Sequence, residues 1–237
     1  MVDYLEALKR PFSDMKKLLI GIFLGSIPIV NLIVVDYTLV CTSLTKIKVE
    51  KDNLPEWENY GDLFKKGLIA AIIGFILFIP NSLVLFGAFE TVVTSPTVNQ
   101  MLGGISPDTW NKIFTGEITE MQIQDWFAQN WTQFVPLLVS ATPFIILGII
   151  LGLIASYILP VIVLEWLKED SFTAAFRWEV VKKTLSMDYL VNWIVVGIFG
   201  MIMSALFSRV PLLGTGIVVF VSGVFSYTIF SEIYEEL

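Results

Sequence analysis

GLIAAIIGFILFIPNSLVLFGAF, residues 67–89, runs for 23 residues without a charged side chain. A bilayer core about 30 Å thick is crossed by about 20 mostly apolar residues in a helix, so this stretch alone suffices for one span. Pro136–Leu164, Leu190–Phe207 and Pro211–Phe230 are equally free of charge. A soluble domain has no use for so much uninterrupted apolar helix. The fold class is therefore all-α: a polytopic transmembrane helical bundle forming a single integral membrane domain over residues 1–237.

Composition agrees. Hydrophobic residues make up 55% of the 237, charged residues 16%, and the mean hydropathy is +0.75. The net charge of −7 disfavours nucleic acid as a partner, because phosphate neutralisation needs clustered Lys and Arg. The chain has no histidine, which removes the commonest general base and zinc ligand. Cys41, the lone cysteine, lies in an apolar run and reads as a small buried hydrophobe. The first 17 residues mix three acids with four basic residues and lead to no small-x-small cleavage site, so the N-terminus is expected to be retained.

Orientation follows Lys and Arg. Four basic residues precede Leu18 (Lys9, Arg10, Lys16, Lys17), five lie between the first two apolar regions (Lys46, Lys48, Lys51, Lys65, Lys66), and four follow the long third (Lys168, Arg177, Lys182, Lys183). The polar stretch Ser95–Gln133 has Lys112 alone against Asp108, Glu117, Glu120 and Asp125. Residues 95–133 are accordingly expected outside a cell (plasma) membrane, with both termini cytoplasmic.

The first apolar region then has basic flanks on both sides and must cross an even number of times. Its middle, Ile27-Pro28-Ile29-Val30-Asn31, holds a proline that breaks a helix, and the reading adopted is a short helical hairpin. A single tilted, kinked span is the alternative. Near the other end, Arg209-Val210-Pro211-Leu212-Leu213-Gly214 separates two apolar arms in a similar pattern, a weak internal repeat. The expected path has about six membrane segments: Phe12–Ile27, Pro28–Leu44, Gly67–Val93, Phe134–Trp166, Tyr189–Ser208 and Val210–Ser231.

Polar segments suggest amphipathic helices. Trp57, Tyr60 and Phe64 recur at helical spacing after Pro55, which suits a first helical position; an interfacial helix is expected near 54–66. Glu169-Asp170-Ser171 reads as another helix start, giving an interfacial helix near 171–186. Between residues 95 and 133, Ser106-Pro107-Asp108 and Thr119-Glu120-Met121-Gln122 read as helix caps, so a helical extracellular cap is expected. Asn130-Trp131-Thr132 has the form of a glycosylation sequon.

Leu54-Pro55-Glu56-Trp57 with Gly61-Asp62-Leu63-Phe64-Lys65-Lys66-Gly67 resembles a hallmark of an uncharacterised family of archaeal and bacterial integral membrane proteins, a domain of unknown function. The likeness extends to Asp3, Tyr4, Ala7, Pro11 and Phe12, to Ile27–Asn31, to Ala174–Arg177, and to Asp188 and Tyr189. The resemblance implies an archaeal multi-pass membrane protein and brings no activity, cofactor or catalytic residue. A remoter likeness to the membrane domains that accompany some glycerophosphodiesterases carries no function over.

Ionisable groups inside spans are costly and mark sites. Asp36 is the strongest candidate, followed by Glu90, with Asn31 and Asn81 adding polar character beside prolines. No catalytic or metal-ligating constellation, phosphate-cradling glycine loop or nucleophile elbow is present, and no cofactor is expected. Gly21…Gly25 and Gly148…Gly152 are close-packing signals. Two functions stand: a non-catalytic membrane structural or interaction component, and a small carrier or lipid-handling protein with a polar interior site around Asp36. The expected partners are membrane lipids and another membrane protein or a second copy of the chain.

Overall fold

A computed structural model describes residues 2–42, 53–103, 108, 111–112, 115 and 120–236. Lys46, Lys48, Lys51 and the cap signal at Ser106-Pro107 lie outside the described residues, as does Thr119. The described residues are helical, with no strand among them: α1 (Tyr4–Lys9) with a 3-10 turn (Arg10–Phe12), α2 (Met15–Gly25), α3 (Asn31–Val40), α4 (Tyr60–Val93), α5 (Pro96–Gly103), α6 (Glu120–Glu169), α7 (Phe172–Ala175), α8 (Trp178–Lys183), α9 (Met187–Phe207) and α10 (Leu213–Glu236). Of these, α4, α6, α9 and α10 are long and apolar enough to cross a bilayer. The chain divides into two compact units, Met1–Leu77 with Ala155–Leu237, and Phe78–Ile154.

In the first unit α2 and α3 form a hairpin. The Asp14 carboxylate opens α2 by accepting from the Lys16 and Lys17 amides at 2.9 and 3.1 Å. The Ser26 hydroxyl closes the helix on the Ile22 carbonyl at 2.7 Å. At 11 and 10 residues the arms are about 16 and 15 Å long at 1.5 Å per residue. That is half a bilayer core; the helical arms are shorter than the expected hairpin segments Phe12–Ile27 and Pro28–Leu44. The hairpin is limited on one side by the Asp14 cap and on the other by the turn after Val40.

The turn of this hairpin repeats elsewhere. Pro28 is followed by Ile29 at φ 70°, and Pro211 by Leu212 at φ 61°. The Asn31 amide donates to the Ile27 carbonyl at 3.0 Å, and the Gly214 amide to Val210 at 3.0 Å. A positive φ is strained for a branched residue. In both turns proline presets its own φ while the apolar residue after it takes up the reversal. The weak sequence repeat thus corresponds to one backbone device used twice.

Glycines let the hairpin lie directly on α10. A Cβ on Gly216 would sit 1.9 Å from the Ile22 carbonyl oxygen, and one on Gly21 within 2.1 Å of the Phe220 ring. A Cβ on Gly25 would meet the Gly216 backbone at 3.2 Å. Below this contact, α1 and the 3-10 turn cover the C-terminal half of α10: the Arg10 guanidinium donates to the Thr228 hydroxyl at 3.1 Å. The core beneath comprises Val34, Tyr37, Phe220, Val224 and Leu18 on one side, and Val161–Leu164, Tyr189, Ile229 and Ile233 on the other.

Residues 54–59 form no helix, and α4 begins only at Tyr60. Two carbonyls of this segment are engaged across the chain: Leu54 accepts from Lys17 Nζ at 2.8 Å and Pro55 from the Tyr37 hydroxyl at 2.6 Å. Asn59, at φ 53°, turns the chain, and its carbonyl takes the amides of Asp62 and Leu63. From there α4 runs unbroken through Pro80 to Val93.

The segment expected to start at Phe134 is instead the interior of one 50-residue helix, α6. Asn130-Trp131-Thr132 falls within it. Residues 171–186 form two short helices, α7 and α8. Ser171 caps α7 by accepting from the Ala174 amide, and Ala174, Ala175 and Val180 are buried while Phe172 and Trp178 are exposed. In the second unit, Asn81 lies against Gly152 and Leu85 against Gly148, so the second small-residue pair also serves close packing.

Candidate functional site

Asp36 sits on α3 between Val34, Tyr37 and Leu39, all at 0% exposure, and is itself 1% exposed. Its Oδ1 is buried without a hydrogen-bond partner, and no ion pair to it is found among the described residues. The charges that act on it are Lys66, of opposite sign, and Asp62, of the same sign; both lie on the first turns of α4. Gly67 brings that helix close, since a Cβ there would meet the Leu32 carbonyl at 1.9 Å. A buried, unpartnered carboxyl costs free energy, so the position is either a working group or a tolerated strain.

Beside Asp36, on the adjoining face of α3, Tyr37 organises a lock. Its ring stacks on Trp57 at 3.6 Å between centroids, and Phe220 of α10 lies 5.9 and 6.3 Å from the two. Lys17 closes the lock from α2: its Nζ reaches Glu56 at 2.7 Å and the Leu54 carbonyl, while its own carbonyl accepts from Trp57 Nε1 at 3.2 Å. The box Leu54-Pro55-Glu56-Trp57 is therefore a clasp holding α2, α3 and α10 together. Trp57 packs inward, so the expected interfacial stripe of Trp57, Tyr60 and Phe64 is not on one helix. Tyr60, exposed, stacks loosely on Trp57 at 6.4 Å.

The other expected site residues are dispersed. Asn31 is half-buried at the first turn of α3. Asn81 and Glu90 belong to the second unit, Asn81 half-buried against α6 and Glu90 exposed near the end of α4. Among the described residues no group of three His, Cys, Asp or Glu side chains could hold a metal ion.

A family model described as a protein of unknown function, DUF4013, matches residues 19–231. The chain belongs to the DUF4013 family. No match is found among curated proteins or among solved structures. The DUF4013 match covers Asp36, the box from Leu54 to Trp57 and the glycine contact on α10. Lys17 and Arg10, which tie the N-terminal segment to the rest, lie just before it.

Two polar clusters in this DUF4013 chain escape sequence reasoning. Lys183 of α8 reaches Glu165 at 3.3 Å and the Tyr234 hydroxyl at 2.8 Å, with its Nζ 4.0 Å from the Tyr234 ring centroid. Glu165 is 8% exposed. It follows Leu164 at the end of a long apolar run, and that abrupt charge beside Trp166 is the available signal. Arg10, 5% exposed with Nε unpartnered, looks in sequence like one more member of the solvated basic flank.

Proposed function

We propose that this chain is a multi-pass protein of the cell membrane that works as a non-catalytic structural or interaction component. Four helices cross the bilayer, the α2–α3 hairpin enters and leaves the cytoplasmic face, and both termini are cytoplasmic. Residues 168–183 lie inside and 95–133 outside. Its partners are membrane lipids and another membrane protein or a second copy.

The closure around Asp36 carries this reading. A carrier opens its site to water on one side and then the other. Asp36 is instead 1% exposed, among the fully buried Val34, Tyr37 and Leu39 of its own helix. The alternative, a small carrier or lipid-handling protein with its site at Asp36, draws support from the orphaned Oδ1, because unsatisfied buried groups are rare in folded proteins.

A flux measurement separates the two. The purified protein is reconstituted into vesicles holding a pH-sensitive dye, and an imposed pH gradient is followed. The structural reading expects wild type and Asp36→Asn to hold the gradient as long as empty vesicles do. Dissipation by wild type that Asp36→Asn abolishes, in a protein that still folds, would overturn it in favour of the carrier.

A further inference from the structure

Between α6, α9 and α10 of the first unit lies a groove of about 470 Å³ lined by apolar and small residues, and by hydroxyls. That volume falls in the range of about 300–1,000 Å³ that small-molecule sites occupy. Its floor is one face of α10, where Ser222, Gly223, Ser226 and Tyr227 follow at helical spacing; Ser156 and Pro160 of α6 and Trp193 and Gly197 of α9 form the walls.

One hydroxyl on that face, that of Ser222, is buried and unmet. Hydroxyls inside an apolar helix ordinarily bond back to a carbonyl on the preceding turn. Thr228 does so to Val224 at 2.7 Å, Ser231 to Thr228 at 3.0 Å, Thr142 to Leu138 and Ser140 to Leu137 at 2.7 Å. Ser222 Oγ is buried without a partner, and no hydrogen bond is found for Ser226 Oγ or Tyr227 Oη among the described residues. Three hydroxyls on one face, each able to donate and accept, thus have no protein partner, and that of Ser222 is buried, where an unmet polar group is costly.

We propose that this groove binds an uncharged lipid alcohol, with its hydrocarbon chain along the Gly197 wall and its hydroxyl among Ser222, Ser226 and Tyr227. The class follows from the lining. No acidic or basic residue borders the groove, which disfavours a charged headgroup. A hydroxyl, like its three protein partners, can donate and accept at once, which a pure hydrocarbon cannot. The opening beside α9 leaves room for a chain: a Cβ on Gly197 would meet nothing within 4 Å. The site lies apart from Asp36, so the proposal goes beyond the structural reading and stands or falls separately from it.

The test uses the full-length protein in phosphatidylcholine vesicles with a photoactivatable long-chain primary alcohol, and labelled peptides are identified after illumination. Labelling is expected on α9 and α10, displaced by 1-hexadecanol at concentrations about tenfold below those of hexadecane or hexadecanoate, a difference of about 1.4 kcal/mol. Gly197→Leu, which places a side chain into open space without a clash, should abolish labelling. The triple variant Ser222→Ala, Ser226→Ala, Tyr227→Phe should retain labelling but lose the preference for the alcohol. Equal competition by all three competitors, or a preference that survives the triple variant, would overturn the proposal. So would cross-linking of a Gly197→Cys, Cys41→Ser variant to a second copy whether or not 1-hexadecanol is present, because the groove would then be filled by protein.

Discussion

Tyr37 and Trp57 stack with ring centroids 3.6 Å apart and planes 7° from parallel, joining the half-length helix α3 to the irregular segment that precedes α4. Each ring also has a polar duty. The Tyr37 hydroxyl donates to the Pro55 carbonyl and Trp57 Nε1 donates to the Lys17 carbonyl. A short hairpin has little area of its own to bury, so this clasp and the glycine contact on α10 hold it in place.

Removing the indole should therefore release the hairpin. Trp57→Ala is expected to cost about 3 kcal/mol, the lower end for truncating a large aromatic. Trp57→Phe keeps a stacking ring and gives up one hydrogen bond, for about 1 kcal/mol. Reversible unfolding in mixed micelles would measure both, and equal losses would show that the stack contributes nothing.

Lys17 and Glu56 form an ion pair at 2.7 Å, yet the two ends differ: the Lys17 side chain is 14% exposed and that of Glu56 72%. The exposed carboxylate is well solvated, so Glu56→Gln should change stability by less than about 0.5 kcal/mol. Lys17→Met leaves the Leu54 carbonyl without its charged donor and should cost about 1.5 kcal/mol. The same unfolding measurement checks the asymmetry, and a larger loss for Glu56→Gln would reverse it.

Asp36 supplies a stability prediction independent of flux. On the structural reading its orphaned oxygen is a liability, so Asp36→Leu should raise stability by about 1–2 kcal/mol by removing an unsatisfied buried acceptor. A clear loss would mean that the carboxyl is bonded within the folded bundle after all.

Legibility from sequence divides along physical lines. The spans at α4, α9 and α10 are readable because apolar length is a property of consecutive residues. The break at Pro28 and its echo at Pro211 are readable because proline acts locally. The box at Leu54–Trp57 misleads: the spacing of Trp57, Tyr60 and Phe64 suits a helix, but the contacts of Trp57 are with residues distant in sequence. Tyr37 stacks on its ring and donates to the Pro55 carbonyl. Asp36 is visible as a lone charge in an apolar arm, whereas Glu165 hides at the edge of its run because its partner Lys183 lies on another helix. The unused hydroxyls of Ser222, Ser226 and Tyr227 carry no signal, since a serine that bonds its own backbone looks the same in sequence as one that does not.

The glycine contact makes a sharper test than any apolar truncation. What a Cβ on Gly216 would meet is backbone, the Ile22 carbonyl oxygen at 1.9 Å, and backbone cannot rotate aside as a side chain can. Gly216→Ala should push α2 off α10 and cost about 3 kcal/mol, the upper end of ordinary overpacking. Gly197→Ala, facing open space, should be silent or slightly stabilising, because alanine favours helix over glycine by about 1 kcal/mol. Limited proteolysis of the α2–α3 hairpin reads the difference directly; equal protection of the two variants would contradict the close contact.

Orientation is the remaining consequence of the proposed arrangement. A hairpin with arms of 11 and 10 residues returns to the face it entered, and four long helices then bring the chain back to that same face. Both termini consequently share a side, and positive charge selects the cytoplasm: five basic residues lie within 46–66 and four within 168–183, against Lys112 alone in 95–133. Single cysteines at positions 112 and 182, in a Cys41→Ser background, should behave oppositely toward an impermeant reagent on intact cells. Position 112 should label at once and position 182 only after permeabilisation. If the first apolar region were one kinked span, a reporter at Met1 would instead read outside while one at Leu237 read inside. Matching cytoplasmic readings at both ends, together with labelling at 112, are expected for the hairpin; a split reading sinks it in favour of the single kinked span.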